Sequence, residues 1–131
     1  MLVSGDISSS SLADNNPKSS SLYRHCVRLT NYFNPYDAAL SLSNIKRIGV
    51  SPRAGRVGLP DTLPGKAVEV DTGTYYAANA HKFDHIPNDS HTWYFFDEVF
   101  MRDVYETVKG DVDRNRISTR VGTHNRLSLS T

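Results

Sequence analysis

A strand-like run that stops at an Asn-Pro pair constrains the fold of this chain more than any other feature. From His25 to Phe33 the sequence alternates between two sets of side chains, and Asn34-Pro35 then supplies residues typical of a turn. Asp37 is the first carboxylate beyond that pair. The pattern predicts a strand that starts near His25 and ends in a turn carrying Asp37.

Three further segments favour an α/β chain. The spacing of apolar residues predicts a short helix from Ala38 to Ile45, and the run from Ala67 to Val70 is typical of a second strand. A longer helix is predicted from Glu98 to Lys109, because Asp97 is a good N-cap and Gly110 stands where glycine commonly ends a helix.

The predicted helix Glu98–Lys109 should pack on the sheet through one apolar face. Phe100, Val104 and Val108 fall at helical spacing and are expected to contact the sheet, with Phe100 and Val104 buried. The charged residues expected to be exposed on the same helix are Glu98, Arg102 and Glu106.

Three polar segments lie outside these elements. Serine accounts for eight of the first 21 residues, so residues 4–21 are expected to form a surface loop. Residues 49–65 contain four glycines and three prolines and are also expected to be a loop. Residues 111–131 are polar and rich in arginine, which predicts a disordered tail.

Composition narrows the class of protein. A chain of 131 residues allows one domain at most, and a net charge of +1 argues against binding of nucleic acid by the whole surface. No apolar run approaches the roughly 20 residues needed to span a bilayer, and no signal peptide is recognisable. The single Cys26, expected to be buried on the first strand, cannot form an intramolecular disulfide. These features favour a cytoplasmic protein.

Asp37 and His91 are the candidate catalytic residues. A histidine acts as general base toward a serine hydroxyl when a carboxylate binds one ring nitrogen and fixes the tautomer. Asp37, on the turn after a buried strand, and His91, on a loop before the C-terminal helix, could supply that pair. The alternative is an ordinary turn aspartate and a solvated loop histidine. No cofactor and no metal are expected.

Several motifs around these two residues resemble those of a known family. The run NPYDAALSLS at residues 34–43 and the run SHTWYF at 90–95 precede a terminal amphipathic helix, and RAGRVG at 53–58 has the form Arg-x-Gly-x-x-Gly. The stretch MLVSGDI at residues 1–7 is similar to the strand that precedes an acid-bearing strand. Together, from about residue 2 to 110, these motifs resemble the C-terminal part of α/β-hydrolase-fold, esterase/lipase-like proteins, and most of all a bacterial branch of them.

The resemblance implies an incomplete domain. Residues 1–110 would form the C-terminal portion of a mainly parallel hydrolase sheet, with two or three strands and a C-terminal helix, and residues 111–131 a tail. It also implies Asp37 as triad acid and His91 as triad base. The nucleophile would sit in a Gly-x-Ser-x-Gly pentapeptide, which the sequence lacks, and Ser4 and Ser8 have no paired small neighbours.

The missing pentapeptide leads to an expectation about partners. The nucleophile and the oxyanion loop are expected upstream of Met1, so an ester-type substrate would bind only when an upstream half completes the domain. Half of a parallel sheet has an exposed edge, through which the chain could self-associate. A non-catalytic binding module that keeps the hydrolase scaffold is the alternative function.

Two other clusters allow different interpretations. His81, His85 and His91, with Asp84 and Asp89, have the residue types of a metal site, although a polar loop explains them as well. The basic residues of the second cluster, which suit either phosphate or nucleic-acid binding or a solvated face, are Lys46, Arg47, Arg53 and Arg56.

Overall fold

A computed structural model describes residues 1–45, 49 and 51–131, which form one mixed sheet with helices on both faces. Its strands are β1 (Leu2–Val3), β2 (Leu29–Phe33), β3 (Ala67–Asp71), β4 (Arg120–Thr123) and β5 (Arg126–Leu129). Its helices are α1 (Pro17–His25), α2 (Ala38–Ile45), α3 (Ala54–Val57), α4 (Gly73–Asn79), α5 (Asp89–Thr92) and α6 (Glu98–Lys109). Short 3-10 turns occupy Ser9–Leu12, Ala80–Lys82 and Trp93–Phe96. The predicted α/β class is confirmed.

The sheet is mainly parallel. Its order is β1-β2-β3-β5-β4, in which the first three strands and β5 run parallel and β4 is antiparallel to β5. The predicted strand Ala67–Val70 corresponds to β3, and the helix predicted from Ala38 to Ile45 corresponds to α2. The described part of the chain thus contributes five strands where two or three were predicted. None of its helices is long and apolar enough to cross a membrane.

Strand β2 contributes side chains to two hydrophobic clusters, one on each face of the sheet. Leu29 and Ala67 pack on one face with the helices α1 and α3 nearby. Tyr32, Val68 and Val70 pack on the other face with the aromatic residues of the C-terminal helices. Because a parallel strand in this position is covered on both sides, its sequence need not alternate between apolar and polar residues.

The serine-rich segment before β2 is helical in part, so the prediction of a surface loop for residues 4–21 is wrong. Asn16 caps α1 by accepting a hydrogen bond of 2.9 Å from the amide of Lys18, and Pro17 occupies the first helical turn. The helix runs to His25, so the strand begins four residues later than predicted, and Val27 is 86% exposed. Cys26, expected on the strand, is half-buried at the end of α1.

Helix α6 has the predicted limits, but it presents a different face to the sheet. Asp97 accepts a hydrogen bond of 2.7 Å from the amide of Phe100, and Gly110 ends the helix in a left-handed conformation. Phe100 is buried as predicted, whereas Val104 is half-buried and Val108 is 71% exposed. Glu98 and Arg102 are exposed as predicted, and Glu106 is half-buried.

The face of α6 is set by a buried polar residue, Asp103. Its Oδ1 accepts a hydrogen bond of 2.6 Å from the hydroxyl of Tyr32, and its Oδ2 accepts bonds of 2.6 Å from Thr119 and 2.9 Å from the Nε of Arg120. The side chains of Asp103 and Arg120 are both fully buried. Burial, and after it the negative charge of Asp103, raises the pKa of Tyr32 above its usual range, so this phenol stays protonated and donates.

The C-terminal segment is not a disordered tail, and that prediction is wrong from Arg120 onward. Strand β5 pairs with β3, and Leu127 and Leu129 join the main hydrophobic cluster. Two arginines that suggested a solvated tail have buried partners instead. Arg120 binds Asp103, and Arg126 binds Glu69 on the neighbouring strand β3.

We predict that Phe100→Ala lowers the free energy of unfolding by about 3–5 kcal/mol. Phe100 is 2% exposed and contacts the rings of Tyr32, Trp93 and Tyr94, so its removal leaves a cavity. Urea denaturation measures the change. The matched control on the same helix is Met101→Ala, since Met101 is 48% exposed. Equal midpoints for the two variants would show that α6 is not docked on the sheet.

Candidate active site

The turn after β2 holds Asp37 in one orientation. Asn34 begins the turn, where its Oδ1 accepts a hydrogen bond of 3.0 Å from the amide of Tyr36 and its carbonyl accepts one of 3.1 Å from the amide of Asp37. Oδ1 of Asp37 accepts a bond of 2.9 Å from the amide of Leu40 in the first turn of α2. The carboxylate is fully buried, and Oδ2 remains for a second partner.

His91 is that second partner. It lies on α5, and its Nδ1 is 2.7 Å from Oδ2 of Asp37, which confirms the predicted contact between the two residues. An ionised carboxylate only accepts hydrogen bonds, so Nδ1 carries a proton, and in the neutral ring Nε2 then presents a lone pair. No hydrogen bond joins Nε2 to another described residue, and the imidazole is 35% exposed. One end of the ring is therefore fixed, and the ring remains accessible.

Two further bonds fasten the histidine segment to the aspartate turn. Nδ2 of Asn34 donates a bond of 2.9 Å to the carbonyl of Ser90, and the amide of Ala38 donates one of 3.2 Å to the hydroxyl of Ser90. Sequence reasoning missed both roles. An asparagine before proline commonly starts a side-chain turn, which is a signal for the bond between Asn34 and Tyr36 but not for the bond to Ser90. For Ser90 there was none.

Aromatic residues that follow α5 pack in the hydrophobic cluster on the sheet. Trp93, two residues after His91, is fully buried, and its ring centroid lies 5.6 Å from that of Tyr76 and 4.5 Å from that of Tyr94. The hydroxyl of Tyr76 donates a bond of 2.8 Å to Asp89 at the start of α5. These contacts keep the histidine segment close to the sheet.

Ser4 and Ser8 are the two serines nearest to a nucleophile motif. Ser4 follows β1 with φ of 45°, a left-handed conformation, and Ser8 shares a hydrogen bond of 2.9 Å with Ser10. Gly55 packs against the backbone of Ser4, since a Cβ at this glycine would lie 2.4 Å from the carbonyl carbon of Ser4. Among the hydrogen bonds of the described residues, none links Ser4 or Ser8 to the imidazole.

The other two candidate clusters separate in space. Within the described ranges, no three His, Cys, Asp or Glu side chains are grouped so that they could hold a metal ion. His81 and His85 are exposed, while His91 is bound to Asp37. Of the basic cluster, Arg53 pairs with Asp6 at 2.9 Å, and the predicted members at positions 46 and 47 lie outside the described residues.

Comparisons with protein-family models, with curated proteins and with solved structures find no match to this chain. The geometry of Asp37 and His91 is therefore the evidence on which a functional argument rests.

Tyr76, which bonds Asp89 at the start of α5, gives a prediction about how the free energy of unfolding changes at alkaline pH. Burial, and after it the hydrogen bond to Asp89, raises the pKa of Tyr76 from 10.0 to about 12. Between about pH 10 and pH 12 the unfolded chain loses a phenolic proton that the folded chain keeps, so the free energy of unfolding should fall as the pH rises. Urea denaturation at several pH values measures this slope.

In the variant Tyr76→Phe the free energy of unfolding should fall less steeply with pH, because the variant lacks the phenol that titrates differently in the folded and unfolded chains. Tyr36→Phe is the matched control, since Tyr36 is 58% exposed and its ring lies 6.3 Å from that of Tyr76. A slope for Tyr76→Phe that equals the wild-type slope would contradict the assignment of Tyr76 as a phenol that stays protonated.

Proposed function

We propose that this chain carries the acid and the base of a serine-hydrolase triad of the esterase/lipase-like α/β-hydrolase type. The observation that carries the proposal is the 2.7 Å contact between Nδ1 of His91 and Oδ2 of Asp37. A buried carboxylate behind a partly exposed imidazole is the arrangement that a general base requires. The position of Asp37 after a central parallel strand supports it as well, because active sites of open α/β sheets lie at the carboxyl ends of strands.

The chemistry assigned to the pair is proton transfer. Nε2 of His91 removes the proton of a serine hydroxyl as its oxygen attacks the carbonyl carbon of an ester, and Asp37 stabilises the resulting imidazolium without taking its proton. The imidazolium then gives that proton to the leaving alcohol oxygen, and an acyl-serine remains. Water attacks the acyl carbon in the second step, again with His91 as base, and releases the carboxylic acid.

The nucleophile and the oxyanion donors belong to a segment outside these 131 residues in this proposal, because no Gly-x-Ser-x-Gly pentapeptide occurs in the sequence. Among the described residues β1 pairs only with β2, so its other edge is open to a completing parallel strand. A small ester-type molecule is the proposed substrate of the completed site. Self-association of two copies through the same edge is the competing arrangement.

The missing pentapeptide also favours a second candidate function, a non-catalytic binding or interaction module that retains the hydrolase scaffold. In such a module the bond between Asp37 and His91 would only join the turn after β2 to α5. The two functions differ in what happens when a nucleophile-bearing segment is supplied, since the module gains no activity from it.

We expect the 131-residue chain to hydrolyse p-nitrophenyl acetate no faster than free imidazole at the same concentration, because it lacks the covalent step and the oxyanion hole. With a flanking segment that supplies Gly-x-Ser-x-Gly, hydrolysis should appear and His91→Ala should abolish it. Asp37→Asn should lower kcat by up to about 10⁴-fold, because the tautomer is no longer fixed. His85→Ala, an exposed histidine near the same segment, is the control and should keep full activity.

Two results would contradict this proposal. A stoichiometric burst of nitrophenol from the 131-residue chain, abolished by Ser4→Ala or Ser8→Ala, would place the nucleophile within the chain. Activity of the completed protein that survives His91→Ala would remove the histidine from the mechanism.

A further inference from the structure

A cavity of about 200 Å³ lies at the end of β2 opposite to Asp37. Arg28 and Thr30 line it at the amino end of β2, whereas Asp37 follows the carboxyl end of the same strand. The remaining wall comes from Met1, from the end of α6, and from the segment that leads into β4. The cavity is therefore separate from the candidate active site.

The positive charge in this cavity is only partly neutralised. Three arginines line it, Arg28, Arg114 and Arg120, and no carboxylate does. Arg120 is neutralised by its buried ion pair with Asp103. Arg114 donates a hydrogen bond to the carbonyl of Gly65, and no ion pair joins Arg28 or Arg114 to a described residue. Arg28 and Arg114 thus bring two positive charges to the cavity lining that no described carboxylate neutralises, and a guanidinium has five N–H donors.

The remainder of the lining is largely apolar. Val108, Val112 and Ile117 form this part together with Met1. A site with cationic groups and an aliphatic wall matches a ligand that has an anionic head and an aliphatic tail. The head then meets groups of opposite charge, and the tail meets an apolar surface.

One wall of the cavity is held in place before any ligand arrives. The hydroxyl of Thr107 is 2.9 Å from that of Tyr32, and Thr107 also accepts a hydrogen bond from Arg120. The guanidinium of Arg120 bonds Asp103 through Nε and Nη2. Because these groups are already fixed, binding requires little ordering of this wall.

A neighbouring recess shares two of these arginines and adds charges of both signs. Lys66 and Asp113 line it together with Arg28 and Arg114. The carboxylate of Asp113 accepts a hydrogen bond of 2.8 Å from the amide of Asn115, and no ion pair joins it to either arginine. Asp113 therefore does not occupy the donors that the cavity offers.

We propose that this cavity binds a small aliphatic anion, a carboxylate or a phosphate monoester with a tail of about four to six carbons. The volume sets the size, since 200 Å³ is about seven times the roughly 30 Å³ that one water occupies in the liquid. The head lies between Arg28 and Arg114, and the tail packs on Val108 and Ile117. This site does not depend on the catalytic role of Asp37 and His91.

Titration of the full 131-residue chain, followed by ¹H–¹⁵N correlation spectra, tests the proposal with hexanoate and hexyl phosphate as probes. Saturable shifts should occur at Thr30, Thr107 and Ile117, and the probe that binds more tightly identifies the head group. Acetate, which lacks the tail, and hexanol, which lacks the charge, should each bind at least about tenfold more weakly.

Variants separate a specific site from general attraction to a basic surface. Arg28→Gln should weaken binding of the tighter probe by about tenfold or more, because it removes a charged donor. Arg24→Gln, an exposed arginine on α1 outside the cavity lining, should leave it unchanged. Equal effects of the two variants, or hexanol binding as tightly as both anions, would overturn the proposal. So would the absence of saturation below about 20 mM for both anions, since a ligand that used both guanidinium groups should bind at about millimolar concentration.

Discussion

The structure depends on the burial of β2 on both faces of the sheet. Each face of this strand makes a polar contact as well as apolar ones: Asn31 donates a hydrogen bond of 3.1 Å to the carbonyl of Ala54 in α3, and Tyr32 donates one to Asp103 in α6. At the carboxyl end, the carbonyl of Phe33 accepts a bond of 2.9 Å from the hydroxyl of Thr72. The turn that carries Asp37 is therefore built on a strand that cannot move without disturbing two helical layers.

The buried pair of Asp103 and Arg120 joins three parts of the chain that are distant in sequence. It connects α6 to β4, and through Tyr32 it connects both to β2. Two charges in the interior lose their hydration, which their mutual attraction offsets only when the remaining donors and acceptors are also bonded. Here Thr119 and Thr107 complete the set. The pair joins the C-terminal hairpin to α6, and Arg120 also lines the basic cavity.

Local sequence signals predicted the elements whose limits depend on neighbouring residues. Asp97 and Gly110 fixed α6, and the Asn-Pro pair fixed the end of β2, because caps and turns act through the adjacent backbone. The contact between Asp37 and His91 was predicted from the resemblance of their segments to those of a triad acid and base, since the local signals alone fitted an ordinary turn and loop equally well.

What the sequence could not reveal depends on partners far along the chain. Arg120 and Arg126 suggested a solvated tail, and only the folded chain brings them to Asp103 and Glu69. Val108 suggested a buried face of α6, but Asp103 on another face of the helix is the residue that the sheet binds. A polar residue that is buried with a distant partner has the same local signature as one in solvent.

The central claim is that Asp37 fixes the tautomer of His91, so that Nε2, which has no hydrogen-bond partner among the described residues, is the nitrogen proposed to act as a base. The most direct measurement is ¹⁵N NMR of the histidine rings near neutral pH, with the exposed His81 and His85 as internal references. The account predicts that the neutral form of His91 carries its proton on Nδ1, and that this preference is lost in Asp37→Asn. A wild-type His91 that carries its proton on Nε2, or a tautomer that Asp37→Asn leaves unchanged, would contradict it.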